Sequence, residues 1–217
     1  MTELAFQLAH LAPGDRSGFD AMLRIYQRSI EPSEQKSASE IAAIAGNPSY
    51  SILVLSVNGE VRGFSISFFP SGDFWLLEYL AVDESLRSHG FGRTLFLAAK
   101  NAAYERNPNA PCILEVDDPS AGPTPDNNAA RRFRFYRGLG CRRIEGLDYI
   151  LPLAANGTPP RMTLLVHGID DRDTLPKGQL ARWLETIYRD VYAMHCSDPR
   201  LVTMMSPLPD NVCLESF

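Results

Sequence analysis

The sequence predicts a mixed α/β fold: a twisted, mostly antiparallel sheet of about six to seven strands, with helices on both faces and one more helix near the C-terminus. Three observations predict it. Strand-like runs follow one another in a meander, and Asn58–Gly59 joins two of them; Asn-Gly between apolar runs is the strongest short hairpin signal. Two helical stretches interrupt the strands without alternating with them, which favours a mixed sheet over a pure βα repeat. A last helical stripe of Leu180, Trp183, Leu184, Ile187 and Val191 follows the final strand signal.

The elements follow in order. Glu3–His10 is a first strand. Arg16–Ser29 is helical, because Phe19, Met22, Leu23, Ile25 and Tyr26 form one apolar stripe. Ser37–Ala45 is a second, short helix, in which Ser37 caps and Glu40 three residues on completes a capping box. The GNP of Gly46–Pro48 ends it. Strands are expected at Tyr50–Val57, Val61–Phe69 and Phe74–Val82, then an Ala- and Leu-rich helix over Gly92–Glu105 and a buried-type strand at Cys112–Val116. Asp117–Asn128 is a turn-rich loop with three prolines; long loops beside a site often carry specificity. Ala129–Leu139 is a helix ending at Gly140. Arg142–Leu151 and Met162–Val166 are further strands, and Gln179–Met194 is the last helix. The tail after Pro199 has little periodicity. The expected division is a domain over 1–168 and a C-terminal helix and tail over 169–217, packed on that domain or at a homodimer contact.

Composition narrows the function classes. With 45% hydrophobic and 22% charged residues the chain can bury a core. A net charge of −5 does not suit coating nucleic acid. Cys112, Cys141, Cys196 and Cys213 form no CxxC pair and no disulfide framework, as expected in a reducing compartment. The N-terminal residues lack a basic region followed by an apolar run, and no segment reaches membrane-spanning length. A cytoplasmic location, no membrane and no nucleic-acid partner are the expectations. His10, His89, His167 and His195 show no metal spacing, and there is no GxSxG nucleophile motif.

The chemistry concentrates where WLLEYLAV gives way to LRSHGFGRTLF. A strand entering a glycine turn that opens a helix is an anion site: the first helical N–H groups lack internal partners, and the helix dipole adds positive potential. Gly90 and Gly92 permit positive φ and close approach of the backbone, and Arg87 and Arg93 can add charge-assisted hydrogen bonds. The turn is not a Walker loop, since GxxxxGK[ST] is missing. Nor is it a dinucleotide fingerprint, since Leu95 stands where a third small residue is needed. An ordinary strand-to-helix turn has the same look.

YLAVDESLRSHGFGRTLF resembles the acyl-CoA motif of the GNAT acetyltransferase superfamily, a strand, then [RQ]xxGx[GA], then a helix. Arg87-Ser88-His89-Gly90-Phe91-Gly92 fits at every required position. The resemblance covers about Ser51 to Tyr149. It implies that amides of Arg87, Ser88, His89, Gly90, Phe91, Gly92 and Arg93 bind the pyrophosphate of acetyl-CoA. It also implies that the backbone of Leu80, Ala81 and Val82 pairs with the pantetheine arm, and that a β-bulge in Glu78–Val82 splays that strand from Cys112–Val116. Leu114-Glu115-Val116 and Phe135-Tyr136-Arg137-Gly138-Leu139-Gly140 resemble two further motifs of the family. By that resemblance Tyr136 protonates the departing thiolate and Glu115 is the general base. Glu78 is a rival base, placed by strand parity on the face of Leu80 and Val82. Ala129 stands where the family usually has Asn, which puts that cofactor contact in doubt.

Each of these residues has a plainer reading beside it. Tyr136 can be core, and Glu115 can pair with an arginine, because a buried charge needs a partner. Arg131, Arg132, Arg134, Arg137, Arg142 and Arg143 read as a solvated face, with one or two reaching the cofactor phosphates. The implied activity is transfer of an acetyl group from acetyl-CoA to a small-molecule or peptide amine. The alternative is a non-catalytic CoA-binding regulatory or interaction module on the same fold.

Overall fold

Asn58 and Gly59 take φ values of 53° and 82°, as a two-residue hairpin turn twisted to match its strands requires. They join β2 (Tyr50–Val57) to β3 (Glu60–Phe68), with β1 (Phe6–His10) antiparallel on the far side of β2 and β4 (Trp75–Val82) antiparallel to β3. The computed structural model describes residues 5–70, 73–119, 127–152, 161–169, 172–195 and 197–217. They fall into two units, Met1–Phe69 with Trp75–Pro108, and Pro70–Phe74 with Asn109–Phe217. The fold class is the expected one, mixed α/β with mostly antiparallel strands.

In the first unit both sheet faces are covered. The helices α1 (Arg16–Ser29) and α2 (Ala38–Ala45) lie on one face. Met22, Ile25, Tyr26, Ile41 and Ile44 pack there against Ile52, Val54, Phe64, Ile66, Tyr79 and Ala81. On the other face α3 (Phe91–Arg106) sets Phe91 and Leu95 against Leu55, Val57 and Val82. Alternation along each strand sends neighbours to opposite cores. The capping box at the start of α2 forms as expected: the Glu40 N–H donates to Ser37 Oγ at 3.3 Å, and the Ser37 N–H to Glu40 Oε2 at 2.7 Å.

One irregularity positions the site. Ile66 pairs with Tyr79 but Ser67 pairs with Leu77, so Glu78 is the extra residue of a β-bulge in β4. The expected bulge is therefore present, and it resets the side-chain alternation at Glu78.

In the second unit, β5 (Cys112–Asp117) pairs antiparallel with β8 (Arg161–His167) over six residues, from Cys112↔His167 to Asp117↔Met162. The strands β6 (Arg142–Ile144) and β7 (Tyr149–Ile150) also pair with β8. They replace the single strand expected over Arg142–Leu151, because a turn through Gly146 at φ 73° separates them. The described residues hold ten strands in all, more than the six to seven expected. Two additions are β9 (Thr174–Pro176) and β10 (Asn211–Glu215), the latter pairing with both β6 and β9. Three helices complete the unit: α4 (Asn127–Gly138), α5 (Lys177–Asp190) and α6 (Pro199–Met205). Trp183 of α5 packs on Phe74 at 5.7 Å between ring centroids. The tail is thus ordered where it has no long periodicity: Asp198 caps α6 with Pro199 behind it, and Val212 and Leu214 turn inward.

Ser37→Ala should lower the stability of the first unit by about 1 kcal/mol, the usual worth of an N-cap. Urea unfolding followed by far-UV circular dichroism checks this.

Candidate active site

Beyond β4 the chain makes one 3-10 turn, Glu84–Leu86, in which the Asp83 carboxylate accepts from the Ser85 N–H at 3.0 Å. It then passes Ser88 at φ 68° and Gly90 at φ 84°, with His89 and Phe91 on the ordinary side of φ. Such alternating handedness turns successive N–H groups into a concavity that suits an anion. Among the described residues, the N–H groups of Ser88 through Arg93 have no backbone acceptor, and Thr94 is the first to donate, to the Gly90 carbonyl at 3.1 Å. Gly90 caps the 16-residue α3 without a side-chain bond, so the helix dipole opens onto the same concavity. A Cβ on Gly90 would meet nothing within 4 Å, so the space before the turn is open. The second left-handed residue is Ser88, where Gly92 had been expected; Gly92 is helical.

The side chains around the turn divide by role. Arg87 is half-buried, with Nη1 4.0 Å from Glu84 Oε1, and Arg93 is exposed. His89 is exposed and its Nδ1 lies 2.9 Å from the Arg87 carbonyl. Phe91 points inward, edge-on to Phe6 at 5.7 Å, so only its backbone faces the turn. Leu80, Ala81 and Val82 pair through β3 with Ser65, Phe64 and Gly63.

Glu78 does not share a face with Leu80 and Val82, because the bulge re-aims it. Its Oε1 accepts from Lys36 Nζ, and Lys36 also lies 5.8 Å from the centroid of the Tyr79 ring. The pair is buried, with side-chain exposures of 10% for Lys36 and 2% for Glu78. Glu78 Oε2 is buried and has no hydrogen-bond partner among the described residues. Burial pushes the Glu78 carboxyl above its ordinary pKa, against the opposing effects of Lys36 and Tyr50.

In the second unit Glu115 accepts from two tyrosine hydroxyls. Tyr149 donates its hydroxyl to Oε1, and Tyr192 donates to Oε2 at 2.6 Å. Burial, and then the adjacent Glu115 charge, push the Tyr149 hydroxyl well above its ordinary pKa. Tyr136 lies on α4 with Cys112 and Cys141 nearby; desolvation first, then those thiols, raise its pKa. The Cys141 thiol is itself raised by burial to about 12, and Cys112 and Cys141 are buried thiols.

Arginine commitments also become visible. Arg132 donates to Asp117, Arg142 to Asp173 at 3.4 Å and Arg143 to Glu215 at 2.7 Å, while Arg131, Arg134 and Arg137 are exposed. Ala129, at the usual Asn position, is buried. Residues 120–126 of the long loop, and Cys196, lie outside the described residues. Among the described residues no helix is long and apolar enough to cross a membrane.

Sequence reasoning did not find Lys36, Tyr149 or Tyr192. Tyr149 and Tyr192 stand 34 and 77 positions from Glu115, and no local pattern links residues at such separations.

The signature of the acetyltransferase (GNAT) family matches residues 19–141. No curated protein sequence matches the chain. Among solved structures, a GNAT-family protein from Bacteroides thetaiotaomicron is 20% identical, covering 87% of this chain and 99% of its own, with a TM-score of 0.68. The ribosomal-protein-S18-alanine N-acetyltransferase of Escherichia coli is 20% identical, covering 77% and 96%, with a TM-score of 0.57. An aminoglycoside 6′-N-acetyltransferase complexed with coenzyme A is 19% identical, covering 76% and 98%, with a TM-score of 0.60.

Lys36→Met should strip Glu78 of its counter-charge, and breaking one side of a buried pair costs about 3–5 kcal/mol. The sign with pH follows from the raised pKa. The neutral carboxyl is the form that the folded state favours, so its contribution is full below the unfolded value of about 4.3 and is lost as pH rises through the folded value. The loss in the variant, read by urea unfolding, should be larger at pH 8 than at pH 5. Lys36→Met with Glu78→Gln should recover most of it.

Proposed function

Because the chain belongs to the acetyltransferase (GNAT) family, we propose that it is an acetyl-CoA-dependent N-acetyltransferase that acts on a primary amine by direct attack in a ternary complex. The observation that carries this reading is the run of unpartnered N–H groups from Ser88 to Arg93 at the head of α3. Left-handed Ser88 and Gly90, open space before Gly90 and two nearby guanidiniums suit a pyrophosphate.

In this reading the amides of Ser88–Arg93, with Arg87, Arg93 and the Ser88 and His89 side chains, hold the pyrophosphate, and the backbone of Leu80, Ala81 and Val82 holds the pantetheine arm. When bound, acetyl-CoA supplies an acetyl group already activated as a thioester. Glu115, with a hydroxyl on each oxygen, serves as the carboxylate that takes the proton of the attacking amine, directly or through water. Tyr136, whose burial keeps its hydroxyl protonated through the neutral range, gives a proton to the leaving sulfur. Glu78 is already engaged in a buried contact with Lys36, so the base role goes to Glu115. The acceptor class is a small-molecule or peptide amine. The similar folds include an N-acetyltransferase of a protein alanine and one of aminoglycosides, so both kinds of amine belong in a screen.

Calorimetric titration with acetyl-CoA should show near-stoichiometric binding. Gly90→Glu should abolish it by placing a carboxylate before the open amides. Gly90→Ala, which carries only the strain of φ 84°, should keep most of it. Full affinity in Gly90→Glu would remove the turn from the cofactor site.

Tyr136→Phe should lower kcat on the order of 100-fold, the lower end of the usual worth of general acid catalysis, with the KM for acetyl-CoA unchanged. Equal turnover in the two proteins would take Tyr136 out of the mechanism. Binding without turnover for any amine would favour the non-catalytic CoA-binding module.

A further inference from the structure

The family signature ends at residue 141, yet both hydroxyls on Glu115 come from beyond it. Tyr149 of β7 donates to one carboxylate oxygen and Tyr192, in the turn after α5, to the other. Each tyrosine is itself held in place. Ile150, next to Tyr149, accepts from the Tyr188 hydroxyl through its carbonyl, and its N–H lies 3.2 Å from Met204 Sδ. Arg200 donates to the Pro152 carbonyl at 3.4 Å and lies 5.6 Å from the Tyr188 ring centroid. The Tyr192 turn closes through Ala193 at φ 53°, which lets the Met194 N–H reach the Tyr188 carbonyl at 2.8 Å. Packing alone would not call for these hydroxyls, since phenylalanine fills nearly the same volume.

We propose that Tyr149 and Tyr192 are positioning residues for Glu115, supplied by the segment that follows the family signature, and that they fix the carboxylate's orientation and keep it ionised. The proposal rests on Glu115 being the base of the reaction proposed above. Two donors on one carboxylate favour its charged form and lower its pKa, and such charge-assisted bonds are short and directional. The other groups facing the cluster are Tyr188 and Arg200, the latter paired with Asp198 at 2.6 Å. Across β8 the neighbours are Thr163, Leu164 and Leu165, none of which titrates. Two residues along β5, Asp117 accepts from Arg132 of α4.

The test uses Tyr149→Phe, Tyr192→Phe and Glu115→Gln in the full chain. Carboxyl-labelled glutamate is titrated by carbon NMR, with Glu115→Gln assigning the signal. Thiol release from acetyl-CoA is followed from about pH 3.5 to 9, with an alkyl monoamine, a diamine, a peptide with a free N-terminus, and water alone. In the unmodified chain the Glu115 signal should titrate below the ordinary glutamate value. Each Tyr→Phe change should raise it by about one pH unit, the size of effect that one lost hydrogen bond to the charged form produces. The acid limb of kcat should move up with it. At neutral pH kcat should fall on the order of tenfold, as loss of orientation implies, with the KM for acetyl-CoA unchanged. An unmoved carboxyl titration in both tyrosine variants would overturn the positioning role, whether or not any amine is turned over. Wild-type kcat in both, with Glu115→Gln inactive, would overturn it too but leave Glu115 as the base. A fully active Glu115→Gln would sink the base assignment and this proposal with it.

Discussion

A carboxylate set in the middle of a strand has to be compensated, and much of the arrangement in each unit follows from that. An isolated charge out of water is prohibitively costly. The first unit answers with a charge: Lys36, just ahead of α2, reaches Glu78 at the β4 bulge. The second answers with dipoles: Tyr149 and Tyr192 each give a hydroxyl to Glu115. The two solutions have different chemical consequences. A lysine cancels the charge and leaves a locked pair. Hydroxyls donate to a carboxylate without setting an opposite charge beside it.

Much of the fold was legible because its signals are local. The Asn58–Gly59 turn, the Ser37–Glu40 capping box and strand Tyr50–Val57 appear where the residues place them. Two misses also had local signals that short length concealed. Asp198-Pro199 is a cap followed by a first-turn proline, and Asn211–Glu215 alternates outward and inward. The failures at the site are of another kind. Parity put Glu78 beside Leu80 and Val82, and one inserted residue undid it. The tyrosines on Glu115 and the lysine on Glu78 are long-range partners that periodicity does not register. The need for a partner was readable, since a buried carboxylate demands one; its identity was a matter of tertiary structure.

The glycine turn shows the converse. Its motif was plain in LRSHGFGRTLF, and the structure adds how the backbone does the work. Ser88 shares the left-handed role with Gly90, while Gly92 belongs to the first turn of α3. A side chain other than glycine in that region carries a conformational cost. That geometry leaves the N–H groups of Ser88–Arg93 without backbone acceptors at the head of α3, and N–H groups at helix starts are a general means of binding phosphate.

The placing of β10 bears on how the chain comes to be folded as it is made. Strands β1 to β4 pair with their sequence neighbours, so their loops close at small entropic cost. β10 lies between β6 and β9 and bonds to both. Until residues 211–215 leave the ribosome, those two strands each present a bare edge of the kind that invites mispairing. Vectorial synthesis therefore leaves those edges of the second unit open until its last strand is made.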